Sequence, residues 1–333
     1  MSCQGREGTR WLIVSKRQTG VGWGGCEGRV RRRGPGMTAQ IIDGKRLSHI
    51  MEQGLASEVA LMKSRGERPP GLGVILVGEN PASHAYVRNK ERFAHRIGFA
   101  TFDVRLNDGA SHDDVARAID QFNESPAVDG ILLQLPLPWG LPTDLLLERI
   151  DPRKDADGLH PMNQGLLQKG TEYASPCTPS GVMKLLDWTL AGYPDSLEGL
   201  PRASLAGKTA VVVGRSILVG KPVATMLLER NATVTMAHSK TPNLSAVCRT
   251  ADILVVAVGV PFLVKGEFIK EGAIVLDVGI NRLETGDLVG DVAFDQASLR
   301  ASAITPVPGG VGPMTVAMLM ANTLLLRKRF GGG

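Results

Sequence analysis

Tyr86 and Lys90 stand four positions apart in Pro81-Ala-Ser-His-Ala-Tyr-Val-Arg-Asn-Lys90, a spacing that places both side chains on one face of a helix. An aromatic platform beside an amine suits a flat aromatic substrate with a proton to move. Gln134 lies in Leu132-Leu-Gln-Leu-Pro-Leu-Pro138, near the end of an apolar run where side chains of an open α/β sheet meet ligands. An amide in such surroundings needs a hydrogen-bond partner. A Tyr packed on a Lys stem, and an amide satisfied by backbone, are the structural alternatives. Asp155 and Asp157 alternate in Asp151-Pro-Arg-Lys-Asp-Ala-Asp-Gly-Leu-His-Pro161. Asp-rich turns commonly serve their own backbone, which is the reading for Asp155, while Asp157 stays open. Three Pro and three Gly crowd residues 306 to 313. Proline fixes φ and glycine admits a ligand close to the backbone, so this loop reads as a rigid contact surface rather than a linker.

A further constellation reads as a nucleotide site. The apolar run Ala210 to Val213 stops at Gly214, and the pattern restarts at Gly220 ahead of Pro222, a residue tolerated in the first turn of a helix. Strand, glycine turn and helix N-terminus make an anion site, because free N–H groups and the helix dipole both point at the ligand. The full G-x-G-x-x-G is missing, since Ser216 stands at the second glycine. Thr233 to Met236 is the next apolar run and ends at His238-Ser-Lys-Thr241. NAD-binding units usually carry an acid at this point, roughly 20 residues beyond the loop, to hold the ribose 2′-hydroxyl. No acid is present, and Arg215 offers a guanidinium to phosphate. The predicted cofactor is NADP.

The elements that must position these groups form two α/β units. From Met37, Leu47, Ile50, Met51, Leu55, Val59 and Met62 recur at helical spacing toward Gly66. Strands are predicted at Val74 to Val77, Thr101 to Leu106 and Gly130 to Leu135, with helices at Ser83 to Arg96 and Asp113 to Phe122. In the second unit the strands Ala210 to Val213, Thr233 to Met236, Ile253 to Val258 and Ala273 to Val278 alternate with helical stretches, the rhythm of a doubly wound, Rossmann-like parallel sheet. A linking helix ends at Leu185 to Leu190, and a last helix runs over about Met314 to Arg327. The fold class is α/β: a first unit over 37–179, completed by a C-terminal helix at 311–330, a second over 180–310, and a cleft between them.

The net charge of +5 over 333 residues suggests nucleic-acid binding until the charge is located. Residues 1–36 hold eight Lys or Arg against Glu7 and Glu27, a net of +6, so the remainder is close to −1. The body is not basic. The tail, with nine glycines and one short apolar run, reads as a disordered extension rather than a signal peptide. Nothing approaches the roughly 18 consecutive apolar residues of a membrane span. Cys3, Cys26, Cys177 and Cys248 show no paired spacing, which is cytoplasmic usage. The six scattered histidines form no ligand pair, and no metal site is expected.

From about residue 37 to 329 the chain resembles the bifunctional methylenetetrahydrofolate dehydrogenase/methenyltetrahydrofolate cyclohydrolase family; the alternatives are another NADP-dependent α/β dehydrogenase and a non-catalytic NADP or folate binder. The resemblance rests on Tyr86-Val-x-x-Lys90, Asp129-Gly-Ile-Leu-Leu-Gln-Leu-Pro-Leu-Pro138, Lys154-Asp-Ala-Asp-Gly-Leu-His-Pro161, Pro176-Cys-Thr-Pro179, Gly214-Arg-Ser, His238-Ser-Lys-Thr241, Asp277-Val-Gly-Ile-Asn281 and Pro306 to Thr315. Ala156 and Leu159 stand where the family often has Val and Phe, and residues 1–36 match nothing in it.

The resemblance implies two reactions of one-carbon metabolism at one site: NADP-dependent oxidation of 5,10-methylenetetrahydrofolate, then hydrolysis to 10-formyltetrahydrofolate. It makes Lys90 the catalytic amine, hydrogen-bonded to Gln134. It also implies that Tyr86 stacks on the folate, that Asp157 binds the pterin edge and that Gly312 and Pro313 line the folate site. NADP falls to Gly214, Arg215, Ser216, Ser239 and Ile280, with Thr315 near the nicotinamide end. A homodimer acting on tetrahydrofolate derivatives, with no nucleic-acid or membrane partner, is the implied assembly.

Overall fold

The computed structural model describes residues 39–331; the basic extension at 1–36 lies outside them. The chain enters through β1 (Gln40–Ile41) and α1 (Gly44–Ser64), then alternates β2 (Gly71–Val77), α2 (Pro81–Arg96), β3 (Ala100–Leu106), α3 (His112–Glu124) and β4 (Gly130–Leu133). These strands form a parallel sheet in the order β3-β2-β4. Every residue of β2 and β4 is buried, whereas β3 alternates. A continuous apolar strand needs cover on both faces, and an alternating one tolerates an edge.

Short helices α4 (Thr143–Arg149) and α5 (Pro161–Leu167) lead to the linking helix α6 (Cys177–Leu190). The second unit follows with β5 (Thr209–Val213), α7 (Gly220–Leu228), β6 (Thr233–Ala237), α8 (Leu244–Cys248), β7 (Ile253–Val256), β8 (Ile274–Asp277), the antiparallel pair β9 (Asn281–Arg282) and β10 (Leu288–Val289), α9 (Phe294–Ser298) and β11 (Ala303–Ile304). The last helix, α10 (Val311–Phe330), returns to pack on α1 and α6 and reaches β2 and β4.

The larger sheet has the order β1-β11-β8-β7-β5-β6 and is parallel throughout. From β5 the chain steps outward to β6 and then back across to β7, so the strand order reverses between β5 and β7. Open α/β sheets bind ligands at such a reversal, beyond the carboxyl ends of the strands.

Three differences from the sequence reading have physical causes. Gln40 and Ile41 belong to the second sheet, not to a block running 37–179: Gln40 N–H donates to Ser302 O (2.9 Å) and Ile42 N–H to Ile304 O (2.8 Å). The helical stretch expected between β7 and β8 is one 3₁₀ turn, Gly266–Phe268. The predicted strands ending at Leu135, Val258 and Val278 stop at Leu133, Val256 and Asp277. One further N–H in each, of Gln134, Ala257 and Val278, still donates to a neighbouring strand, after which Val258 and Gly279 turn their N–H groups onto the carboxylates of Asp291 and Asp277. Among the described residues, no helix is long and apolar enough to cross a membrane.

Candidate active site

Helix α2 begins with Pro81 at its first turn and Asn80 as its cap, whose Oδ1 accepts from Ala82 N–H (2.9 Å) and Ser83 N–H (3.3 Å). Both features suit a helix start. They set the phase that turns Val87 and Phe93 into the core and leaves Tyr86 exposed. One turn on, Lys90 is only 7% exposed, and its Nζ donates to Gln134 Oε1 at 3.0 Å. Gln134 follows β4 directly; its N–H still donates to Ile75 O (2.9 Å), and its Nε2 donates to Leu135 O at 2.6 Å. With both ends of the amide engaged, the oxygen is held toward the amine.

Burial pushes the Lys90 ammonium below the ordinary lysine range, and Asp157 and Cys177 pull it the other way. A buried amine with one neutral acceptor is the arrangement that brings a lysine toward neutrality. Cys177 is buried at the start of α6 and donates its thiol to Ala156 O (3.3 Å). Burial, with Asp157 adding to it, drives that thiol well above its usual range, so it stays protonated.

The loop carrying Asp157 is sewn to its surroundings. Ile131 N–H donates to Lys154 O (2.7 Å), and Ile131 bridges Asp155 as a strand would. Asp155 is buried, and its carboxylate accepts from Leu159 N–H (3.1 Å), His160 N–H (2.8 Å) and Asn163 Nδ2 (2.9 Å). That is backbone service, as expected. From α10, Asn322 Nδ2 donates to Ala156 O (2.9 Å) and Ser175 O (2.8 Å), tying the loop to the entry of α6.

The loop at 306–313 joins the two units. Lys45 N–H donates to Gly309 O (3.2 Å), Ser48 Oγ donates to Pro313 O (3.3 Å), and Thr178 and Thr315 share a 3.1 Å hydrogen bond between their hydroxyls. A Cβ on Gly312 would lie 3.5 Å from Ile280 Cδ1, so two predicted site residues from separate loops meet.

At the strand reversal Gly214 has φ +126°, open to glycine and hostile to other residues. A Cβ there would collide with Ala257 O, and one on Gly220 would collide with Gly214 O. Ser216 Oγ accepts from Val219 N–H (3.1 Å) and Gly220 N–H (3.3 Å), capping the approach to α7. Arg215 is exposed and makes no ion pair among the described residues. Ser239 follows β6, and the turn around it is closed by Thr241 Oγ1, which accepts from His238 N–H at 2.9 Å.

Comparison with known proteins decides the family. Residues 42–157 match the tetrahydrofolate dehydrogenase/cyclohydrolase catalytic domain, and residues 176–330 match the NAD(P)-binding domain of the same family. The chain belongs to the tetrahydrofolate dehydrogenase/cyclohydrolase family. It is 51% identical to the bifunctional protein FolD of Streptococcus thermophilus over 285 residues, 86% of this chain and 96% of that protein. The FolD structure from Campylobacter jejuni superposes with a TM-score of 0.81 at 44% identity, covering 88% of this chain and all of that one. The FolD structure from Trypanosoma brucei, complexed with NADP cofactor and an inhibitor, gives 0.81 at 42% identity over 88% of this chain and 98% of its own.

Within the family frame, Lys90 and Gln134 are in direct contact, with Asp157 close enough to act on the amine and Tyr86 one turn away at the surface. Gly214, Arg215 and Ser216 form one loop, and Ser239 sits on the neighbouring strand end. Sequence reasoning assigned no site role to Cys177, Asn322, Asp277 or Asp291. Cys177 and Asp277 had a signal in their motifs, Pro176-Cys-Thr-Pro179 and Asp277-Val-Gly-Ile-Asn281. Asn322 and Asp291 had none of their own, because their partners lie in distant segments.

Proposed function

We propose that the chain oxidises 5,10-methylenetetrahydrofolate to the 5,10-methenyl form and hydrolyses that product to 10-formyltetrahydrofolate, both at the site around Lys90. The observation that carries the reading is the buried Lys90–Gln134 hydrogen bond of 3.0 Å, one helical turn from the exposed ring of Tyr86. Tyr86 stacks on the folate, Asp157 accepts from the pterin's amide and amino hydrogens, and Gly312 and Pro313 line the same space. This makes the block up to residue 179, without β1, together with 311–330 the folate unit, and 180–310 with β1 the NADP unit.

The residues present fit NADP. Gly214 brings backbone close to a phosphate, Arg215 is exposed and makes no ion pair among the described residues, and no carboxylate ends β6 to repel a 2′-phosphate. Gly214, Arg215, Ser216, Ser239, Ile280 and Thr315 would hold it. When bound, NADP⁺ supplies the hydride acceptor. For the second step, Lys90 holds and moves protons as water adds to the methenyl carbon and the ring opens to the formyl product. Gln134 keeps the amine aimed without adding negative charge. A lysine near ~10.4 needs a pKa of roughly 7–8 to work near neutrality, and burial beside a cationic substrate drives it that way.

As part of the same proposal the enzyme is a cytoplasmic homodimer with neither nucleic acid nor membrane as partner. The near-neutral charge from residue 37 onward and the cysteine usage support this.

Lys90→Met keeps most of the apolar stem and removes the amine. It abolishes cyclohydrolase activity and leaves measurable dehydrogenase activity, so methenyltetrahydrofolate accumulates. The readout is the methenyl chromophore over time, corrected for spontaneous hydrolysis. Hydrolysis by this variant at the parent rate would assign the proton transfer to another group.

A further inference from the structure

Away from Lys90, two buried carboxyl groups meet at the carboxyl ends of β7 and β8. Asp291 is fully buried, and its carboxylate collects four N–H donors from two loops. Oδ2 accepts from Val258 N–H (2.7 Å) and Gly259 N–H (3.0 Å); Oδ1 accepts from Val260 N–H (2.9 Å) and Asn281 Nδ2 (2.9 Å). Behind it, Asp277 Oδ1 accepts from Gly279 N–H (3.0 Å) and Asp291 N–H (3.1 Å), and Oδ2 accepts from Val292 N–H (2.9 Å). A Cβ on Gly279 would collide with Asp291 Cγ. The approach is therefore as close as backbone permits.

We propose that Asp291 is a positioning residue for the dinucleotide: it orients the peptides of 257–260 and the 279–281 turn at the strand reversal, and so sets cofactor affinity without serving the folate chemistry. This rests on the reading of that edge as the NADP site. In a trans peptide the C=O points opposite to the following N–H. With three consecutive N–H groups turned onto Asp291, the carbonyls of Ala257, Val258 and Gly259 face the other way. Ala257 O does so visibly, since it lies against Gly214 of the phosphate loop. The row presents acceptors, which suit the ribose hydroxyl and carboxamide hydrogens of a dinucleotide. The second arm of the clamp, Asn281, is the neighbour of Ile280, whose side chain lies against Gly312. Buried carboxylates matched by several N–H donors hold a loop more firmly than neutral acceptors do, because charge-assisted bonds are roughly twice as strong.

The two activities supply an internal control, since hydrolysis of methenyltetrahydrofolate uses no NADP. Asp291→Asn turns an amide toward backbone donors and releases part of the clamp. The expected result is a rise of at least about tenfold in the Kd for NADP⁺, measured by titration calorimetry. Cyclohydrolase kcat and the KM for methenyltetrahydrofolate stay within about twofold. Should this variant fold poorly, Asn281→Ala removes one donor without stranding a buried charge, and a rise of about two- to fivefold in the same Kd is expected. An unchanged Kd in a folded variant overturns the proposal. So does parallel loss of cofactor binding and cyclohydrolase activity in Asn281→Ala, which would mark the network as general scaffolding. A parent enzyme that binds no NADP⁺ would instead refute the reading of the site itself.

Discussion

Lys90 Nζ and Gln134 Oε1, 44 positions apart in the chain, meet at 3.0 Å in a buried contact, and no carboxylate forms an ion pair with that amine among the described residues. Asp157 acts on it through space and opposes the effect of burial. A lysine held this way suits the proton-carrying role proposed for it better than that of an anchor.

The pH dependence of hydrolysis follows from that balance. With the neutral amine as the working base, the rising limb of cyclohydrolase kcat lies below the ordinary lysine range of about 10.4. Asp157→Asn removes a charge that holds the ammonium and moves the limb to lower pH. Gln134→Glu adds one at contact distance and moves it higher. A pH–rate profile at saturating substrate reads both shifts, and a limb unmoved in either variant means Lys90 is not the titrating group.

Arg215 is exposed and makes no ion pair among the described residues, so its removal should leave the fold intact. Arg215→Ala should raise the Kd for NADP⁺ by about tenfold or more, the scale of one charge-assisted phosphate contact, with NAD⁺ binding nearly unchanged. Equal losses for both cofactors would give this arginine another role.

A chain starting at Met37 keeps β1 and the bond from Ala39 N–H to Ser298 O (2.7 Å). It should match the full chain in melting temperature and in both activities. A drop of several degrees, or of severalfold in turnover, would give residues 1–36 a part in the enzyme.

Asp277 links stability to pH. Burial pushes its carboxyl up to about 7, with Asp291 adding to the rise, against the lowering pull of three backbone N–H groups. The unfolded value is near 3.9, so the folded value is the higher one. Its stabilising contribution is complete below about pH 4 and is lost as pH rises through 7, on the order of 4 kcal/mol at ~1.4 kcal/mol per unit. Melting temperatures measured from pH 5 to 8.5 should fall more steeply with pH for the parent than for Asp277→Asn. Parallel curves would mean that Asp277 does not titrate there.

The amino-acid sequence alone determined the two α/β units, the strand–loop–helix at Gly214 to Gly220 and the absence of an acid after β6, because each is written in a continuous stretch. Apolar runs such as β5 and β7 report their own burial, although β6 at the sheet edge is mostly exposed, and a helical spacing of four puts Tyr86 and Lys90 on one face whatever surrounds them. The motifs also singled out Gln134, Asp157 and the loop before α10. Only the tertiary structure decided what each group touches. Gln40 and Ile41 show too short a pattern to reveal the sheet they join, and the ladder to β11 depends on a strand more than 260 positions away. Asn322 reaches the Asp157 loop across 166 positions. Asp291 lies in an ordinary Gly-Asp-Val step, and its four donors come from segments more than 30 and about 10 residues off. A buried polar group draws its meaning from the partners that replace water, and those partners are chosen by the packing of distant segments rather than by local periodicity.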